Sequence, residues 1–159
     1  PVEPDRSRPF SHNWTNMALE AFAAHSRYRE SPEARRAGEL LKGRFFRADV
    51  YASYKEPRYW VRFIRWWPNL LLALDSLARL GFTEDDPDIQ TGLDWFIDNQ
   101  REDGLWDLEN DGKRQLLKEK DREERLWLAL DVCRMMKKYE REPKDQRLKI
   151  RNTEERAED

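Results

Sequence analysis

Apolar residues recur at helical spacing in five stretches of the chain, and the two-residue alternation of a half-buried strand takes over in none of them. The first stretch runs through Met17, Ala18, Leu19, Phe22, Ala23 and Ala24, after Asn13 and Thr15, either of which can cap a helix. The second opens at Ser31-Pro32-Glu33: a capping hydroxyl, a proline in the first helical position and an acid in the first turn. Ala34, Ala37, Leu41 and Phe45 make its apolar stripe, with Arg35, Arg36, Glu39 and Lys42 on the other side. The third, from about Asn69 to Leu80, has only Asp75, Ser76 and Arg79 as polar interruptions, so it is expected to be buried on nearly all sides. The fourth starts at Asp86-Pro87-Asp88, presents Ile89, Leu93, Phe96 and Ile97, and ends near Gln100. The fifth spans roughly Leu116 to Tyr139, charged at first, then carrying Leu126, Trp127, Leu128, Leu130, Val132, Met135 and Met136. The pattern predicts an all-α chain of about five main helices.

Punctuation between the stretches is that of short hairpins. Gly81 is placed to end the third helix, Arg101-Glu102-Asp103-Gly104 forms a turn, and Asp111-Gly112 marks another. Three segments also line up. Ala18-Leu19-Glu20 matches Ala73-Leu74-Asp75 at an offset of 55, and Ala129-Leu130-Asp131 matches the latter at an offset of 56. The first alignment carries Ser31-Pro32-Glu33 onto Asp86-Pro87-Asp88 without a gap. The repeating unit is one buried helix, a turn and one amphipathic helix, which hides its apolar faces only by stacking on neighbours. Residues 1–140 are read as this domain, opening on an irregular, proline-containing lead-in from Pro1 to Ser11. Residues 141–159 alternate six basic with six acidic side chains and read as a disordered tail.

Charged residues make up 39% of the 159, yet there are seven Trp, seven Phe and five Tyr, so an aromatic core under a charged surface is expected. The net charge of −2 gives no pull toward nucleic acid or an anionic membrane. A lone cysteine, Cys133, excludes an internal disulfide and suits a reducing, cytoplasmic setting. Two histidines leave little material for a Cys/His metal site. No stretch reaches the roughly 20 apolar residues of a transmembrane helix. The first residue is Pro1 rather than Met, so sequence removed or left out upstream is expected.

Between Gly92 and Trp106 the sequence Gly-Leu-Asp-Trp-Phe-Ile-Asp-Asn-Gln-Arg-Glu-Asp-Gly-Leu-Trp resembles the QW motif of squalene-hopene cyclases and their relatives. Thr91 stands where Lys or Arg is usual, and Phe96 where Leu is. The likeness, to the α/α-toroid repeats of terpenoid cyclases and protein prenyltransferases, covers roughly residues 13–140. It implies antiparallel helical hairpins, with helices one, three and five inside and two and four outside, in a toroid or an open arc of one. It also implies a structural role for Gln100, Gly104 and Trp106: the amide caps the outer helix, the glycine takes a positive φ, and the indole packs on the amide. Two and a half hairpins do not close a ring, so the remainder of a longer chain or other copies of the same chain are expected to complete it.

The catalytic sets of those families are not complete here. Asp85-Asp86-Pro87-Asp88 is the nearest run to the Asp-x-Asp-Asp acid of the cyclases, but its order is wrong and its place at a helix start explains it as a cap. Asp131 and Cys133 spell the zinc pair of the prenyltransferases, but residues two apart on a helix point about 200° from each other, and no histidine follows. Gly-rich phosphate loops and serine elbows are absent from the sequence. No metal and no cofactor is expected.

The segment from Arg58 to Trp67 carries the remaining chemistry. Read as a helix, it places Arg58, Arg62 and Arg65 on one face and Tyr59, Phe63, Trp66 and Trp67 on the neighbouring one, and Trp60 adds a further ring to the candidate set. Guanidinium groups beside rings suit an anionic head group on an apolar tail, such as an isoprenoid diphosphate or a lipid, and would equally stack single-stranded nucleic acid; His12, before the first inner helix, is expected to look into the central cavity of the toroid. The competing reading pairs each arginine with a carboxylate and packs the rings between repeats. The sequence therefore supports a non-catalytic helical scaffold or interaction module, with an isoprenoid- or lipid-binding protein as the alternative.

Overall fold

The structure is a computed structural model that describes residues 10–49, 56–63, 67–109 and 119–140. Helix takes 66% of the described residues and no strand occurs among them, which makes the chain all-α. The helices are α1 (His12–Ala24), a single turn α2 (Ser26–Arg29), α3 (Pro32–Lys42), α4 (Leu70–Arg79), α5 (Pro87–Asp98) and α6 (Glu119–Lys138), with a 3-10 turn at Pro57–Val61. The expected disorder of residues 141–159 lies outside the described residues, as does the lead-in before Phe10.

The starts follow local chemistry. The side chains of Ser31 and Asp86 accept from Ala34 N–H and from Asp88 and Ile89 N–H, as their Ser-Pro-Glu and Asp-Pro-Asp contexts predict. The start of α1 differs from the sequence reading: the cap is Ser11, whose hydroxyl accepts from Trp14 N–H, and Asn13 and Thr15 are inside the helix. Ser11 is as good a cap by residue type as either, and only the backbone conformation chooses. Helix α4 ends in a Schellman motif. Gly81 takes φ +80°, its N–H reaches Ala78 C=O, and Phe82 N–H reaches Leu77 C=O.

Helix α4 is the centre of the molecule. Leu70, Leu71, Ala73, Leu74, Ser76 and Leu77 are buried, and α1, α3, α5 and α6 all pack on it. Two glycines set how near the amphipathic helices come. A Cβ on Gly38 of α3 would stand 2.5 Å from the Phe82 ring and 3.0 Å from Leu77, and one on Gly92 of α5 would stand 3.2 Å from Leu74. The missing side chains let two helix backbones close on the leucines of α4. Lys42, at the end of α3, holds Asp86 at 2.6 Å, Glu39 at 3.1 Å and Asp88 at 3.5 Å, and so ties α3 to the start of α5.

Candidate functional site

The Arg58–Trp67 segment is not one helix. Pro57 fixes the first position of a 3-10 turn that ends at Val61. Arg62 then pairs antiparallel with Glu109, and Phe63 N–H donates to Leu108 C=O at 2.7 Å. The arginine face expected of a helix is therefore not built by Arg58 and Arg62. Arg65 and Trp66 lie outside the described residues. The reason is long-range: the backbone after Val61 bonds to the segment leading out of the Gly104 turn, and nothing in the local sequence announces that partner.

Each described candidate has a place. Arg58 is half-exposed, 2.7 Å from Glu56, with its guanidinium 5.8 Å from the centre of the Tyr59 ring. Arg62 Nε donates to Glu109 Oε1 at 2.7 Å. Tyr59 and Trp67 are half-buried and lie with their rings 6.0 Å apart. Trp60 is buried, donates from Nε1 to Arg47 C=O at 3.0 Å, and meets Phe45 edge-on at 5.3 Å. Phe63 packs on Trp95 and Phe96 of α5 at 5.8 and 5.5 Å.

His12 belongs to the same neighbourhood, its ring 5.2 Å from that of Trp60. It is buried in the first turn of α1, and its backbone N–H donates to Asp49 Oδ2 at 2.7 Å. Its Nε2 accepts from Arg44 Nε at 3.1 Å, which fixes a neutral ring with the proton on Nδ1. Nδ1 lies 4.0 Å from Asp49 Oδ2 and makes no hydrogen bond. Burial holds the His12 pKa below its ordinary 6.5, with Arg44 acting in the same direction against the pull of Asp49. The Arg44–His12–Asp49 cluster was not visible in the sequence, because nothing in the spacing of three residues 32 and 37 positions apart signals it.

The Gly104 turn closes as a tight unit. Gly104 has φ +80°, Gln100 Nε2 donates to Gly104 C=O at 3.1 Å, and Arg101 N–H bonds Leu105 C=O at 2.9 Å. Gln100 spends its amide on the turn, whereas Trp106, fully buried, donates from Nε1 to Phe96 C=O in the last turn of α5 at 2.7 Å. Asn99 Nδ2 caps Trp95 C=O at 2.9 Å. Asp107, just beyond, takes Arg101 at 3.0 Å and also Arg125, a wholly buried arginine of α6. The turn thus fastens α5 to α6.

No family model, curated protein or solved structure matches this chain. Asp131 bonds Arg134 at 3.3 Å, and Cys133 is an exposed thiol of α6 whose pKa is pushed up by partial burial. Among the described residues no group of three His, Cys, Asp or Glu side chains stands close enough to hold a metal, and no helix is long and apolar enough to cross a membrane.

Proposed function

We propose that the chain is a non-catalytic helical repeat segment of the prenyltransferase and squalene-cyclase-like kind, acting as a scaffold or interaction module. The observation that supports this reading most is how the Arg58–Phe63 stretch is used. Arg58 and Arg62 are engaged by Glu56 and Glu109, and Trp60 and Phe63 are buried against Phe45 and against Trp95 and Phe96. Arg62, Trp60 and Phe63 are spent on joining distant segments and are not held ready for a diphosphate or a reacting atom. The Gly104 turn supports the same reading, since Gln100 and Trp106 both bond backbone carbonyls.

A second reading, binding of an isoprenoid or lipid with an anionic head, has one observation in its favour. Arg58 lies at the rim of the half-buried Tyr59–Trp67 ring pair, where a charged head and an apolar tail would both find contact. Titration of the chain with farnesyl diphosphate, followed by tryptophan fluorescence, separates the two. The scaffold reading expects no saturable quenching up to millimolar ligand. Saturable quenching that weakens at least tenfold in Arg58→Ala/Arg62→Ala, with helical circular dichroism unchanged, would replace it with the second reading.

A further inference from the structure

Arg125 of α6 is wholly buried, and its guanidinium is only partly used. Nη1 donates to Asp107 Oδ1. Nε and Nη2 are buried and have no hydrogen-bond partner among the described residues. Both unpaired atoms lie on one edge of the group. In a planar guanidinium the Nε–H and one Nη2–H run parallel, a fork that matches two oxygens of a carboxylate or a phosphate. Covalent geometry alone therefore brings these two donors to a common point. Arginine is rarely buried unless its N–H groups are paired, because an uncompensated charge in the interior is costly.

The surroundings favour an anion at this edge. Arg101 and Arg125 share one carboxylate, Asp107, so the more buried part of the cluster carries one positive charge in excess. Asp103, 3.5 Å from Arg101 Nε, stands on the solvent side with 41% of its side chain exposed, and its Oδ1 also accepts from Leu105 N–H. Asp121, four residues before Arg125 on α6 and so on the same side of the helix, does not bond the fork. Arg101 and Asp107 each keep 18% of their side chains exposed and bring the cluster to the surface. Arg125 behind them has no exposed surface, so a small free ion suits the fork and a side chain carried on a folded partner does not.

The geometry points to the Nε–Nη2 edge of Arg125 as a binding site for a small oxyanion, a carboxylate or a phosphate taken side-on by both donors. The site lies at the joint between the Gly104 turn and α6, apart from Arg58, Tyr59 and Trp67, and does not depend on the scaffold reading. Bound there, the anion balances the second guanidinium and lets Arg125 stay inside. The buried fork is formed only when α6 is docked on the turn. The ion therefore binds the folded chain in preference to the unfolded one and stabilises it by mass action. Lysine in the same place keeps the charge but offers no parallel pair of donors.

Thermal melting followed by helical circular dichroism tests this, in a chloride buffer to which acetate or phosphate is added at fixed pH and ionic strength. The midpoint should rise by several degrees along a saturating curve. A response to acetate alone identifies a carboxylate as the ligand, to phosphate alone a phosphate, and to both the fork that they share. Salts that act only by exclusion from the protein surface raise the midpoint without saturation. Arg125→Lys should lose the saturating rise or need about tenfold more anion for it. Arg134→Lys, at an exposed position of the same helix, should retain it. The assigned Arg125 Nε–H resonance of the wild-type chain needs no variant and should move along the same curve. No saturating rise with either anion, an equal rise in Arg125→Lys, or an Nε–H signal that stays in place in both anions would each overturn the proposal.

Discussion

At the scale of single residues, Trp106 and His12 show two ways in which a polar ring is accommodated in the interior. The Trp106 indole fills the space between α5 and the Gly104 turn and closes a carbonyl at the end of α5. Trp106→Ala is expected to cost roughly 3–5 kcal/mol in a denaturant titration, the range for deleting a buried ring. Trp106→Phe should cost less, about 1–3 kcal/mol, since it keeps most of the volume and leaves the Phe96 carbonyl unpaired. His12 avoids a buried charge by staying neutral, while its Nδ1 makes no hydrogen bond. Its folded pKa is depressed below 6.5, so its contribution to stability is complete above that value and is lost as pH falls through the lower folded value. Protonation would also set a second cation against Arg44. The midpoint of chemical denaturation should therefore drop as pH is lowered from about 6.5, and His12→Gln should flatten that limb of the profile. An identical pH profile in the variant would show that other groups set it.

At the scale of elements, the joint between α3 and α5 combines a cap and an ion pair in one carboxylate. Burial pushes the Asp86 pKa up, but Lys42 and the Asp88 and Ile89 N–H groups outweigh it and hold the carboxyl below 3.8. Burial pulls Lys42 down, and its carboxylate partners more than reverse that, to above 10.5. The joint is thus at full strength between these limits, weakening as pH falls through the folded Asp86 value or rises through the folded Lys42 value. Asp86→Ala removes the cap and the partner together and should cost about 1–2 kcal/mol at neutral pH. A double-mutant cycle with Lys42→Met will return a coupling energy near zero if the two side chains are independent. The close approach of α3 and α4 is equally testable. Alanine at Gly38 would gain about 1 kcal/mol of helix propensity, but its methyl meets the Phe82 ring at 2.5 Å. Net destabilisation of about 1–3 kcal/mol is expected from the overpacking, and Phe82→Leu should relieve much of it.

At the scale of the whole molecule, stability is organised around α4. Four helices contact it, and Tyr139 at the end of α6 donates its hydroxyl to Leu74 C=O at 2.7 Å, while Lys138 pairs with Asp75. Leu74 is wholly buried beside Gly92, so Leu74→Ala should cost about 2–5 kcal/mol. Hydrogen exchange should find the slowest amides in α4 and the fastest among the described helices in the single turn α2 and in Pro57–Val61. Uniform protection across all helices would mean that no such centre exists.

Much of this architecture was legible in the chain. The all-α class and the fourfold-covered α4 follow from apolar spacing, because a helix with few polar interruptions cannot face water on any broad side. The starts of α3 and α5 follow from Ser31-Pro32 and Asp86-Pro87, because a cap and a fixed φ act within one turn. The Gly81 and Gly104 turns follow from glycine's access to positive φ. Tertiary structure decided what depends on contact between distant segments. It unwound the expected arginine face by bonding Arg62 and Phe63 to Glu109 and Leu108. It gave a carbonyl at the end of α5 to Trp106, and it gathered Arg44, His12 and Asp49. It also determined which of the two apolar faces of α1 and α6 are covered. Periodicity within a helix says that a face is apolar, and only the neighbours present say whether it is buried.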